Sequence, residues 1–384
     1  MSFVETSEQS MIRETVAKIA GGFGHDYFVD ITRRGEPALE LWKALADAGF
    51  VAVNIPEEYG GGGQGITELA IVCEELAAAG CPMLVLIVSS GIAAPVIAQH
   101  GSAEQRQRWL PAMASGAKKM AFSITEPDAG LNTHKITTSA VRDGEDWRIR
   151  GTKYYASGID EADQVLLVAR TGVDEATSRS RLSLFVVDTD APGLTRTVIP
   201  MELKVAEKQF FLHFDDVVVT PDRMIGAEGE GLRHVFTGLN PERITVAAVS
   251  AGIGRYALAK ASRYANDRQV WDVPIGAHQG LAHPLAEAKI ALELARLMTQ
   301  KAGWLFDSGR DAGAASNMAK FAAADAGLRC LDAAIQIHGG NGMATEYGLA
   351  DMWGMARLLR TAPVSREMIL NYVSEHALGL PRSY

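Results

Sequence analysis

WRIRGTKYYAS at residues 147–157 and QFFLHFDDVVV at residues 209–219 decide the architecture. Each is dense in β-branched and aromatic residues and lacks helical spacing, the signature of a strand. MAFSIT (120–125), QVLLVART (164–171), LSLFVVDT (182–189) and LTRTVI (194–199) are of the same kind, and turn signals such as DGED and DTDAPG separate them. Together they predict a small β domain over residues 120–226. On its N-terminal side the period is helical: Met11, Ile12, Val16 and Ile19 form one apolar stripe, Leu39, Trp42, Leu45 and Ala46 another stopped by Gly49, and ITELAIVCEELAAAG from Ile66 a third. On its C-terminal side, helical patterns cover about residues 241–267, 277–308 and 311–338, and a shorter one follows. Helices that long need partners along their sides, so a bundle is expected. The chain is therefore read as multidomain α+β, with a helical domain at 1–119, a β domain at 120–226 and a helical bundle at 227–384.

Composition narrows the function classes. The 384 residues are 47% apolar and 22% charged, as in a folded protein with a sizeable core. A net charge of −9 argues against a nucleic-acid groove, which needs a basic surface. A polyphosphate ligand would have to be held by backbone N–H groups and a few cations. Cys73, Cys81 and Cys330 are an odd number without metal-ligand spacing, which points to reduced thiols, a cytoplasmic setting and no metal site. The N-terminal residues carry acids from Glu5 onward and suit neither a secretory signal nor a transit peptide. Between Leu76 and Ala103 there is no charged side chain, but Gly80, Pro82, Gly91 and Pro95 interrupt the run, so two buried helices at a turn are expected instead of a membrane span.

No GxGxxG, Walker loop, HExxH or GxSxG occurs, so chemistry must come from dispersed segments. PEEYGGGGQG at 56–65 reads as a flexible loop, with Tyr59 either lining a ligand or simply connecting. Ser123-Ile124-Thr125-Glu126-Pro127-Asp128-Ala129-Gly130 runs a strand into a turn; alone it is a strand end, although its hydroxyls and free backbone could hold a ring edge or phosphate. Asn240-Pro241-Glu242-Arg243 reads as an N-cap, a first-turn proline and an acid beside the positive helix end. An acid there is commonly a dipole partner; in a dry site burial and the helix end would oppose each other and tune it into a general base. QIHGGNG at 336–342 closes a helix with glycines, which also let backbone approach a flat cofactor. Arg268 and Gln279 are ordinary helix-end residues by themselves, and Arg268 could fork onto a pyrophosphate. His213, His338 and the other histidines lack metal spacing.

Taken in this order, PEEYGG, FSITEPDAG, the Arg268 and Gln279 pair and QIHGGNG resemble the acyl-CoA dehydrogenase family over essentially the whole chain. The resemblance implies an N-terminal helical domain, a middle β-barrel, a C-terminal four-helix bundle, and FAD between barrel and bundle in a homotetramer. It also implies that Phe122, Ile124 and Thr125 face the flavin, with Gly130 closing the turn near the pyrophosphate. Tyr155, Ala156 and Ser157 occupy the family's Trp-Ile-Thr segment. Arg268, Trp271, Gln279, Gln336, Gly339 and Gly340 would complete the cofactor site, partly from a neighbouring subunit, with Ser365 and Glu367 added from the C-terminal segment. Arg243 matches the arginine that helps place the CoA chain, and Asn240 and Leu131 are expected at the substrate.

Most members of the family carry a glutamate base near the C-terminus. The corresponding stretch here, Arg360-Thr361-Ala362-Pro363-Val364-Ser365-Arg366-Glu367, has no acid at that position. Glu242-Arg243 matches the minority arrangement resembling isovaleryl-CoA and long-chain dehydrogenases, which makes Glu242 the expected base. Leu131-Asn132 replaces the usual Ser-Asp, Pro363 lacks an N–H for a thioester carbonyl, and MELKVAEKQFFLHF lacks the usual Gly/Arg/Ser/Thr pattern. The expectation is an FAD-dependent dehydrogenase of a branched or bulky acyl-CoA, reoxidised by an electron-transfer flavoprotein. An enoyl-CoA reductase, an acyl-CoA oxidase and a catalytically silent flavin- or acyl-binding protein are the alternatives.

Overall fold

The computed structural model describes residues 4–382. Helices α1 (Ser7–Arg34), α2 (Leu39–Asp47) and α3 (Ile66–Ala78) begin the chain, followed by a composite helix of α4 (Leu84–Leu86), a wider π turn (Ile87–Ala93) and α5 (Ala94–His100), and then by α6 (Ala103–Ala114). The start of α1 is a capping box: the Gln9 N–H donates to Thr6 Oγ1 at 3.1 Å and the Thr6 N–H to Gln9 Oε1 at 3.0 Å. The uncharged run after Leu76 folds into two buried helical pieces at a turn, and among the described residues no helix is long and apolar enough to cross a membrane. The glycine-rich 56–65 segment is tied down by backbone bonds from Gly62 to Ala52 and from Gly63 to Ile55, both at 2.9 Å. A Cβ on Gly61 would lie 2.1 Å from the Ile55 carbonyl oxygen, so the glycines here permit close backbone approach.

Strands β1 (Met120–Ser123), β2 (Ser139–Asp143), β3 (Asp146–Ser157), β4 (Gln164–Val173), β5 (Ser180–Asp188), β6 (Leu194–Ile199), β7 (Gln209–Val219) and β8 (Met224–Ile225) form an eight-stranded sheet among the described residues. Its path is β6-β7-β3-β2-β4-β5-β8, with β1 parallel to β4. The end strands β6 and β8 do not pair, so the closed barrel expected from the resemblance is not found: β8 is only two residues long and stops on β5. β4 is buried on both faces. Leu166 and Val168 join the helical core, while Val165, Leu167 and Ala169 pack into a second core with Trp147, Phe185 and Phe214. That double burial explains the continuous apolar run in its sequence.

The remaining elements are α7 (Gly231–Asp267), the hairpin β9 (Gln269–Val270) and β10 (Val273–Pro274), α8 (Gln279–Asp307), α9 (Gly313–His338), α10 (Trp353–Thr361) and α11 (Arg366–His376). α9 packs on α7, α8, α10 and α11, and α7 also packs on α3 of the N-terminal helices. Both seams of α7 are backbone-close. A Cβ on Gly252 would fall 2.3 Å from the Glu74 carbonyl oxygen of α3, and one on Gly327 of α9 would fall 2.3 Å from the Ser250 carbonyl oxygen. The helical starts are capped across the molecule: Asp307, ending α8, accepts from the Ile66 and Thr67 N–H groups of α3 at 2.8 and 3.0 Å. Glu207, just before β7, accepts from Val85 N–H of α4 at 2.9 Å. Carboxylates at helix N-termini satisfy donors that the helix itself cannot.

Candidate active site

The first segment of the site is the turn after β1. Glu126 is 4% exposed and its carboxylate accepts from Thr137 N–H and Oγ1 at 2.7 Å, and from Thr138 N–H and Lys153 Nζ at 2.9 Å. Burial alone would raise its pKa, but Lys153 and these donors hold it at about 2. Lys153 also donates to the Ile124 carbonyl at 2.9 Å, and Tyr154 N–H to the Thr125 carbonyl at 2.8 Å. The FSIT segment and the start of the Tyr154–Ser157 segment are thereby tied to each other. β3 bulges between Lys153 and Ala156, and Tyr155 sits there with φ 58° and 48% of its surface exposed. A bulge re-aims a side chain, here outward over the site edge. Ser157 Oγ donates to Gln209 Oε1 at 2.9 Å. Ser123 Oγ is buried with no partner.

The second segment is the wall of α7. Asn240-Pro241 was expected to start a helix, with Glu242 in its first turn; instead α7 begins at Gly231 and runs through Pro241 without stopping. A proline inside a helix removes one ladder donor. Here burial along both sides of α7 holds the helix together, and Asn240 turns its Oδ1 to accept from Arg243 at 3.2 Å instead of capping. Glu242 therefore gains nothing from a helix N-terminus. It is half-buried, and among the described residues its carboxylate has no hydrogen-bond or ion-pair partner. Burial pushes it up to about 7, against the opposing pull of Arg243 and Lys320. Arg243 donates to the Leu239 carbonyl at 3.0 Å, while its Nε is buried without a partner.

These two segments meet at the π turn Ile87–Ala93. Met120 N–H, opening β1, donates to Ser89 Oγ at 3.2 Å, and a Cβ on Gly91 would touch Thr245 Oγ1 of α7 at 3.6 Å. π turns are frequent at functional sites, and this one packs against both β1 and α7.

The third group lies elsewhere. Arg268 caps the C-terminal end of α7, and Trp271, with φ 51°, projects from the β9–β10 turn with 83% of its surface exposed. Gln279 opens α8, and Gln336, Gly339 and Gly340 close α9. The ends of α7 and α9 are joined: His338 stacks on Tyr264 at 4.1 Å, and Asn341 donates to the Tyr264 hydroxyl at 3.1 Å. Cβ atoms on Gly339 and Gly340 would meet nothing within 4 Å, so this glycine shelf is open to a flat ligand. Glu242 and Arg268 are separated by about 39 Å along α7 at 1.5 Å per residue. The protomer does not bring Arg268 to Glu242.

Leu131 is 47% exposed at the turn after β1, and Gly130 faces open space. Ser365 is the N-cap of α11, accepting from Met368 N–H at 3.3 Å, with Glu367 in the first turn. Sequence reasoning missed Lys320 of α9, which is 1% exposed and donates to the carbonyls of Arg360 at 3.2 Å and Val364 at 2.7 Å. A lysine inside an alanine-rich helical stripe was its only signal.

Family profiles for the acyl-CoA dehydrogenase N-terminal, middle and C-terminal domains match residues 6–117, 121–217 and 229–378. Acyl-CoA dehydrogenase FadE12 of Mycobacterium tuberculosis is 53% identical over 386 residues, covering 100% of this chain and 99% of that protein. The mitochondrial long-chain specific acyl-CoA dehydrogenase of Sus scrofa is 29% identical over 355 residues, covering 92% of this chain and 82% of that protein. Among solved structures, a glutaryl-CoA dehydrogenase in complex with glutaryl-CoA superposes with a TM-score of 0.94 at 28% identity, covering 100% of this chain and 98% of the other. Butyryl-CoA dehydrogenase from Megasphaera elsdenii gives 0.92 at 26% identity, covering 98% and 100%.

Proposed function

Because this chain belongs to the acyl-CoA dehydrogenase family of oxidoreductases, we propose that it desaturates an acyl-CoA thioester across the α,β bond with Glu242 as the base. The observation that carries this reading is the state of Glu242: an unpaired, half-buried carboxylate whose pKa burial lifts to about 7. A base is most useful when its pKa lies near the working pH, and an acid already consumed in an ion pair would not serve. Glu242 takes the α-proton. Arg243 and Asn240, linked to each other, orient the thioester end, with Leu131 as an apolar contact.

The cofactor is FAD, which supplies the acceptor for the β-hydride. Phe122, Ile124, Thr125, Gly130, Tyr155, Ala156 and Ser157 would hold it on one protomer. Arg268, Trp271, Gln279, Gln336, Gly339 and Gly340 would hold it from a neighbour in a homotetramer, and Ser365 and Glu367 would close its edge. The buried Glu126–Lys153 pair holds the β1 turn from beneath, and the open Gly339–Gly340 shelf leaves room for a flat ligand. An electron-transfer flavoprotein is the partner we assign, and the position of Glu242 favours a branched or bulky acyl chain.

The test is an anaerobic titration of the holoenzyme with straight and branched acyl-CoAs, following flavin absorbance in wild type and Glu242→Gln. Bleaching in wild type and its loss in the variant, with FAD retained, is the expected result. Bleaching that survives in Glu242→Gln removes Glu242 as the base. No bleaching by any thioester would replace the dehydrogenase with an enoyl-CoA reductase or a silent binding protein, and peroxide formed in air would mark an oxidase.

A further inference from the structure

Lys320 is an ammonium ion at a depth where lysines are seldom found unless paired with a carboxylate. Among the described residues it has no carboxylate within ion-pair distance; its partners are the carbonyls of Arg360 and Val364. Carbonyl dipoles hold the ammonium in place but leave its net charge uncancelled. The helix register says where that charge is felt. α7 and α9 are alternate members of an up-down arrangement and run parallel, and the contact of Gly327 with Ser250 and Gly254 aligns them. Seven residues before Gly327, Lys320 stands opposite the turn of α7 that carries Glu242 and Arg243. In keeping with this, Glu242 and Lys320 act on each other: Lys320 lowers the pKa of Glu242, and Glu242 raises that of Lys320 against burial and Arg243.

The other charges facing this pair are accounted for. Asp325, one turn along α9, is taken by Arg360 of α10 and Arg366 of α11. Glu367 of α11 acts on Lys320 from the exposed side, and Tyr372 acts on Arg243. Lys320 therefore supplies the α9 contribution to the field at Glu242, and the same group fixes the turn that contains Pro363.

We propose that Lys320 is a positioning residue for Glu242: its ammonium pins the Arg360–Val364 turn against α9 and presents an uncancelled positive charge to the turn of α7 that carries Glu242. The catalytic part of this statement rests on Glu242 being the base. The electrostatic part does not. A chain with proline where its family usually carries an acid thus uses the lysine under that turn to prepare the acid on the opposite helix.

The test compares Lys320→Gln, which keeps N–H donors for the carbonyls but drops the charge, with Lys320→Arg, which keeps the charge. Both are made in the full-length holoenzyme. Removing a positive charge disfavours the carboxylate, so the activity limb governed by Glu242 should move to higher pH. A shift of about one pH unit lowers kcat/KM about tenfold at pH 6 and less than twofold at pH 9 in the Gln variant. The Arg variant should stay within about twofold of wild type throughout, on the same tenfold-per-unit scale. The second readout is the infrared band of the protonated Glu242 carboxyl against pH without substrate, identified by its loss in Glu242→Gln. Its midpoint should rise in Lys320→Gln and not in Lys320→Arg. An unmoved midpoint, or equal loss of activity in both variants at every pH, overturns the proposal. A moved midpoint in an enzyme whose Glu242→Gln form still bleaches would leave the electrostatic part standing while removing the base assignment.

Discussion

Replacing Gly327 by alanine tests whether the α7–α9 seam, and not helix propensity, sets the distance between the two sides of the site. The added Cβ would stand 2.3 Å from the Ser250 carbonyl oxygen and 3.1 Å from its carbon. Ordinary contact begins near 3.5 Å, so α9 must retreat by about 1 Å. Overpacking of this kind costs about 1–3 kcal/mol, while alanine returns about 1 kcal/mol of helix propensity. The net expectation is a loss of about 0–2 kcal/mol by the difference of those terms. The functional loss should be larger than the thermodynamic one, because Lys320 moves with α9 and a displacement of about 1 Å near the chemistry can cost on the order of 100-fold. Urea unfolding followed by far-ultraviolet circular dichroism gives the first quantity, and kcat/KM at fixed pH the second. Gly22→Ala is the control: in α1 a Cβ there meets nothing within 4 Å, so the change should be neutral or stabilising. If Gly327→Ala behaves like Gly22→Ala in both assays, the close seam is not what holds the site.

Lys153→Met should destabilise by about 3 kcal/mol or more, because it strands the Glu126 carboxylate in the interior. Glu126 has its pKa held down to about 2, so its favourable contribution exists above its unfolded value and is lost as pH falls toward 2. In Lys153→Met the sign reverses and the deficit should shrink on acidification; a deficit independent of pH would count against the ion pair as its cause. Asp307→Ala should lower the unfolding midpoint by the equivalent of about 1–2 kcal/mol through loss of the α3 cap. Asp307→Asn should lose part of it, because one amide oxygen can accept from only one side while the NH2 group faces the other N–H donor. No loss in either variant would show that these contacts do not cap α3.

The long strands were legible because β3, β4, β5 and β7 carry dense β-branched and aromatic runs that burial on one or both faces demands. β2, SAVRD, was not, because Val141, Arg142 and Asp143 face solvent and leave no apolar period. Asn240-Pro241 carried a strong start signal, and packing of α7 on both flanks outweighed it. The turn after β1 was visible as a motif, but the Glu126–Lys153 lock beneath it was not, since its partners are 27 residues apart. Lys320 was hidden for the same reason: the carbonyls it holds are 40 and 44 residues further on. Glu242 was selected by resemblance, and only the folded chain provides the physical ground, a carboxylate left without a partner.

The crosswise caps on α3 and α4 also set a timetable for synthesis. Thr67 leaves the ribosome 240 residues before Asp307, and Val85 leaves 122 residues before Glu207. At roughly 5–20 residues per second, the first helix start waits on the order of 12–48 seconds for the carboxylate that completes it. During that interval the uncharged stretch from Leu76 to Ala103 is already outside the ribosome without the α7 surface that will cover it. The nascent N-terminal third therefore keeps this apolar stretch uncovered until α7 has been made.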